Sequence, residues 1–192
     1  MSAPRTGSTM IEGRVARTSR SLEITFHSGP GDPLAVAVRG SSGRTARAAA
    51  LFGFHTAGTG THRITYSDGS TLLVRSRTTA PTRLTRSDGT AIATIQRGDT
   101  STAVAATAGP LFHFVPAPSD AETPALFRLH VLDRMGEKFA RLHVVRASEG
   151  DTPLLGTRLL LCTPPDATER DILLAVCVDI TLGLRPYITA MK

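Results

Sequence analysis

A chain of 192 residues, 41% apolar, with no Trp, two Tyr and a net charge of +6, is long enough for one domain with a sizeable core of Val, Leu, Ile, Ala and a few Phe, and speaks against two domains. Its two cysteines, Cys162 and Cys177, exclude a disulfide framework and point to buried free thiols in a reducing, cytoplasmic setting. Charge is uneven: residues 1–97 carry thirteen Arg against five acids, a balance of +8, and the rest carries seven Arg and two Lys against eleven acids, a balance of −2.

That asymmetry suggests a face that meets anions, either an anionic membrane surface or an acidic protein. The codon bias of a GC-rich genome would also raise Arg over Lys.

In chain order, "MSAPRTGSTMIEGRVARTSR" has no apolar run, so it is not a secretory signal. Residues 1–20 read as a disordered basic tail, and more weakly as an organelle transit peptide; residues 21–192 then form the single domain. Twelve short apolar segments follow, beginning at Leu22, Leu34, Thr45, Arg63, Thr71, Thr82, Ala91, Ser101, Leu111, Leu126, Phe139 and Arg158. Clusters of Gly, Pro, Asp and Ser bound them at the spacing of an all-β barrel or sandwich. Short connections make consecutive strands antiparallel neighbours.

"RITYSDGSTLL" is rewritten 20 residues later as "RLTRSDGTAIA". A three-residue loop with Gly69 in the left-handed region pairs Ile64 with Leu72 and puts Ile64, Tyr66, Leu72 and Val74 on one face. The same loop at Ser87 to Gly89 pairs Leu84 with Ile92 and turns Arg83, Thr85, Ala93, Ile95 and Arg97 outward. In "FRLHVLDRMGEKFARLHVV" a four-residue loop, Asp133 to Gly136, pairs Leu129 with Ala140 and Phe127 with Leu142. Its inward set is Phe127, Leu129, Val131, Ala140, Leu142 and Val144, with His130 facing Phe139 and His143 facing Leu126. An Asp at each loop can accept backbone N–H groups across the turn, and a Gly closes it.

At "TPPDATERDILLAVCVDITLGLRP" the period changes. Asp166 with Glu169 three residues on resembles a capping box, and Gly183 and Pro186 punctuate the far end, which predicts a helix over about 167–183. This helix has almost no polar face, so it must be buried all round. A membrane span needs about 20 apolar residues; this run is shorter and contains Asp179, so no transmembrane span is expected. The remaining place is the inside of a barrel, and an eleven-stranded can already holds a helix. The expected fold is therefore mainly β, a closed antiparallel barrel of about twelve strands enclosing a C-terminal hydrophobic helix.

The units "YSDGSTLLV", "RSDGTAIATI" and "LDRMGEKFARL", followed by "DILLAVCVDI", resemble the tubby-like superfamily, which includes tubby carboxy-terminal domains, phospholipid scramblases and LURP-one-related proteins. The similarity covers about residues 20–186 and implies a closed barrel threaded by its last helix. It also implies a lipid-related role: tubby domains bind phosphoinositides and scramblases are associated with lipid movement and calcium. No tubby lipid-binding motif and no EF-hand-like run of acids is present to carry site residues over.

HExxH, CxxC, GxSxG and P-loop signatures are all absent, and "GTGTH" and "SGPGDP" precede no helix, so a non-catalytic chain without cofactor or metal is expected. His27, His55, His62 and His113 have no ligand neighbours at metal spacing. Asp179 stands out, because a carboxylate in a buried helix is costly unless paired. It is expected to pair with an inward Arg such as Arg86, or to cap strand-end amides; the functional alternative is a site acid or metal ligand. The candidate anion-binding residues are Arg63, Arg75, Arg77, Arg83 and Arg97, expected on one outer face, where guanidinium forks suit phosphate. Nucleic acid is disfavoured, since no aromatics interleave them to stack bases. The leading expectation is a binding module for anionic, phosphoinositide-like headgroups, peripheral to a membrane. The alternative is an interaction scaffold presenting the loops after Phe54 and Val115, and an enzyme with a site near Asp179 comes last.

Overall fold

Alternating apolar residues build twelve antiparallel strands in the computed structural model, which describes residues 9–17, 22–39, 60–76, 80–98, 101–106, 109–118, 125–149 and 152–183. They are β1 (Thr9–Arg17), β2 (Leu22–His27), β3 (Ala35–Arg39), β4 (Gly60–Tyr66), β5 (Thr71–Ser76) and β6 (Thr82–Arg86), then β7 (Ala91–Arg97), β8 (Thr102–Ala106), β9 (Gly109–Pro116), β10 (Phe127–Leu132), β11 (Lys138–Glu149) and β12 (Thr152–Leu161). Each pairs with its chain neighbours, and β1 with β12 closes the barrel. The last element, helix α1 (Ala167–Gly183), runs through the inside.

Eleven of the strands are the expected segments; the twelfth is a correction. Residues 9–17, expected in a disordered tail, form β1, which pairs Ile11 with Leu159 of β12 and Val15 with Ile24 of β2. Their inward phase is Ile11, Gly13 and Val15, two apolar residues and a glycine. Gly13 is there for space: a Cβ on it would lie 2.5 Å from Thr157 Oγ1 and 2.9 Å from the Phe26 ring. The segment from Thr45 lies outside the described residues.

All three hairpins turn through three-residue loops. Tyr66 N–H donates to Ser70 O at 2.9 Å, Arg86 N–H to Thr90 O at 2.9 Å and Asp133 N–H to Glu137 O at 2.9 Å. Gly69, Gly89 and Gly136 have φ of +82°, +89° and +81°, the left-handed region that glycine adopts without strain. Asp68, Asp88 and Asp133 each accept backbone N–H groups across the turn. Ile64 opposes Leu72, as the repeat predicts.

Two β-bulges correct the other registers, with opposite consequences. In β10–β11 the shorter loop and a bulge at Phe139 move the pairing by two residues, so Leu129 opposes Leu142 and Val131 opposes Ala140. A shift of two keeps every side chain on its face, and Val131, Ala140, Leu142 and Val144 are buried as expected. His130 faces Arg141 and His143 faces Arg128, in place of Phe139 and Leu126. In β6–β7 a bulge moves the pairing by one: Leu84 opposes Ala93 and Thr82 opposes Ile95. A shift of one exchanges faces, so Ala93 and Ile95, expected outside, are buried, and Arg97 follows them inward.

Helix α1 begins with a reciprocal capping box. Asp166 Oδ1 accepts from Glu169 N–H at 2.8 Å, and Glu169 Oε2 accepts from Asp166 N–H at 2.9 Å. From Asp171 to Asp179 every residue is buried, so barrel side chains surround the helix. Ile172, Leu173, Leu174, Val176 and Val178 pack against Phe26, Ile64, Leu84, Phe112 and Leu159 in one core. Burial of each such apolar side chain contributes about 1.5–3 kcal/mol. Phe139, the extra residue of its bulge, tilts against Phe112 at 4.9 Å between ring centroids. Among the described residues no helix is long and apolar enough to cross a membrane.

The barrel has two distinct ends. The three Asp-bearing hairpin loops and the start of α1 share one, the turn end; α1 finishes at the other, the helix-exit end.

Candidate functional site

Alternation along β4, β5 and β6 puts Arg63, Arg75 and Arg83 on the outer wall, each exposed, while Ile64, Val74 and Leu84 beside them are buried. Arg75 lies directly opposite Arg83. Arg63 opposes Leu73, which stands two residues before Arg75, so it is a diagonal neighbour of the pair. Cβ atoms of directly opposed residues lie about 5 Å apart, and like charges in that relationship are destabilising. Among the described residues none of these three arginines forms an ion pair.

The outward residues beside them are uncharged: Thr61, Thr65, Leu73, Thr85 and Thr94. Asp68 and Asp88 stand at the loop tips. Hydrogen bonds from Ser70 and Thr90 hold their carboxyls below the usual range, so both are committed to their own turns. Arg77 lies outside the described residues, as do the loop after Phe54 and residues 119–124 of the loop after Val115.

Arg97 leaves this face. The bulge in β7 turns it to the helix-exit mouth, where it grips Asp179 by a two-point fork: Nε to Oδ2 at 2.8 Å and Nη2 to Oδ1 at 2.6 Å. Nη2 also donates to the Asp179 carbonyl at 3.1 Å. Asp179 is 1% exposed, and Ser76 Oγ and Thr82 Oγ1 complete its shell, each donating to Oδ1 at 2.9 Å. The expected ion pair is therefore present with a different partner: Arg86 is exposed near the turn end, beside the Ser87 to Gly89 loop. The last turn of α1 carries no basic residue of its own, and Arg97 supplies the cation that the negative helix terminus favours.

His62 joins this mouth from β4, 7% exposed, its Nδ1 without a hydrogen-bond partner. Burial first, and then the Arg39 guanidinium, push its pKa down to about 4, against an opposing pull from Asp179. The imidazole is neutral at pH 7. Ser76, His62 and Asp179 are the residue types of a hydrolase triad, but the Ser76 hydroxyl donates to the carboxylate itself, which leaves no base on the hydroxyl to generate a nucleophile. The mouth is built to hold a charge still.

At the turn end Tyr66 Oη donates to Asp171 Oδ1 at 2.6 Å, and the Arg170 guanidinium lies 4.8 Å above the Tyr66 ring and 3.6 Å from Asp171. Burial and the Asp171 bond raise the Tyr66 pKa, so the phenol keeps its proton. Cys177 is buried, with burial pushing its thiol up to about 12, while Cys162, expected buried, is exposed on the link to α1. No group of three or more His, Cys, Asp or Glu suited to a metal ion occurs among the described residues.

Sequence reasoning missed Ser76, Thr82 and His62 as the lining of the Asp179 mouth. The signal was available: in the inward phase of β5 and β6, Val74 is followed by Ser76 and Leu84 is preceded by Thr82. Polar residues in a core phase near strand ends mark a buried polar centre. Compared with protein-family models, curated proteins and solved structures, the chain matches none.

Proposed function

We propose that this chain is a non-catalytic binding module whose basic outer wall docks on anionic, phosphoinositide-like lipid headgroups. The observation that carries this reading is the facing pair Arg75 and Arg83, with Arg63 diagonal to it and, among the described residues, no acid bonded to any of the three. Two guanidinium groups carried on facing residues whose Cβ atoms lie about 5 Å apart repel each other on a bare wall. A phosphate between them accepts bidentate hydrogen bonds from both and reverses the sign of that interaction. The +8 balance of residues 1–97 supports it, as does the resemblance of the hairpins and last helix to the tubby-like superfamily.

Near an anionic membrane each basic residue contributes about 1 kcal/mol, so three give weak, reversible docking. Co-sedimentation with vesicles of phosphatidylcholine alone, and of phosphatidylcholine with phosphatidylinositol phosphates, tests the reading. Binding is expected to the anionic vesicles only and to fall as salt shortens the screening length. Equal, salt-insensitive binding to both vesicle types, or none to either, contradicts it.

A further inference from the structure

Charge is also separated along the barrel axis. Exposed carboxylates stand in four turn-end connections: Asp32 after β2, Asp68 after β4, Asp88 after β6 and Glu137 after β10, with Asp166 ahead of α1. Exposed Arg86, Arg134 and Lys138 offset part of this, leaving that end net negative. Towards the helix-exit end, Arg39, Arg75, Arg83 and Arg97 are exposed on β3, β5, β6 and β7, and Arg146 on β11 across the barrel. Half-buried Glu23, buried Asp179 and Glu149, the last residue of β11, are the carboxylates there among the described residues, fewer than the five arginines.

Resting on the lipid-docking reading above, we infer that the barrel docks end-on, with its helix-exit rim against the anionic surface and its turn end facing away. Arg75 is the penultimate residue of β5 and Arg83 the second of β6, so the facing pair sits at this rim. Docking on the side of the wall would instead bring the carboxylates at Asp68 and Asp88 towards the same negative surface. One term opposes end-on docking: the C-terminus of α1 carries about half a negative charge towards the rim. Arg97 neutralises the Asp179 carboxylate and also donates to the Asp179 carbonyl, so the half charge of the helix end is the only part of this term left for the other rim arginines to outweigh.

The native thiols supply the test, because Cys162 is exposed at the turn end and Cys177 is buried. One form carries a fluorophore on Cys162; a second carries it on Gln96→Cys, and a third on Ser101→Cys, both in a Cys162→Ser background. Gln96 and Ser101 are exposed at the helix-exit end, and the two variants guard against one failing to fold. With vesicles of phosphatidylcholine and phosphatidylserine carrying doxyl lipids, the rim probes are expected to be quenched several-fold more than the Cys162 probe. Sedimentation with equal quenching at both ends, or stronger quenching at Cys162, overturns the orientation alone. Failure of all labelled and unlabelled forms to sediment with anionic vesicles overturns the docking reading with it.

Discussion

Arg97 and Asp179, 82 residues apart in the chain, meet through a two-point fork at 2.6 and 2.8 Å inside the barrel mouth. An uninterrupted β6–β7 ladder would have left Arg97 on the outer wall. One extra residue in β7 brings Ile95 into the core and Arg97 to the one carboxylate of α1's last two turns.

Removing either partner tests how much this contact holds. Arg97→Ala leaves a buried carboxylate with two hydroxyl donors and is expected to destabilise the fold by about 3–5 kcal/mol. Asp179→Asn keeps donors and acceptors without the charge and should lose less. Urea unfolding of the two single variants and the double variant gives the coupling. Additive losses would mean that the pair does not act as a unit.

His62 makes stability depend on pH. Its folded-state pKa of about 4 lies below the ordinary 6.5, so between those values the unfolded chain binds the proton and the folded one resists it. Stability is full above pH 6.5 and falls as pH drops towards 4, by on the order of 3 kcal/mol. The carboxylates Glu12, Asp68 and Asp88, whose pKa values are lowered, give up their contributions only at lower pH still. The urea midpoint of the wild type should therefore fall relative to that of His62→Leu as pH drops through this window. A constant difference between them would contradict the assignment.

Closure depends on Gly13. Gly13→Val places a branched side chain where Thr157 Oγ1 and the Phe26 ring already lie 2.5 and 2.9 Å from its first carbon, and overpacking of this kind costs about 1–3 kcal/mol. Deleting residues 1–17 is the stronger version. It exposes the edges of β2 and β12, so the truncated chain is expected to associate. Light scattering decides: a monomeric, equally stable truncation would return residues 9–17 to the status of a tail.

Much of this architecture was legible because alternation is strict where it matters. Ile64, Tyr66, Leu72 and Val74 declare one face, and the Asp-Gly loops fix where the chain reverses. The β7 bulge was less visible, yet "AIATIQR" contains its own warning. Ile92 and Ile95 are three apart, so no regular strand can bury both. β1 was obscured because its inward phase holds only Ile11, Gly13 and Val15 among Arg and Thr, and its strand character comes from two neighbours supplied by distant sequence. The Asp179 partner was unreadable for a related reason. Choosing Arg97 over Arg86 requires the bulge, and the bulge is decided by burial of Ile95.

The outer arginines carry the functional account, and a double substitution addresses them directly. Arg75→Gln with Arg83→Gln removes two charges from the exposed wall and touches no buried group. At about 1 kcal/mol for each charge, partition onto vesicles containing anionic lipid should weaken by about 30-fold, with circular dichroism and the urea midpoint unchanged. Undiminished vesicle binding by the folded double variant would contradict the account.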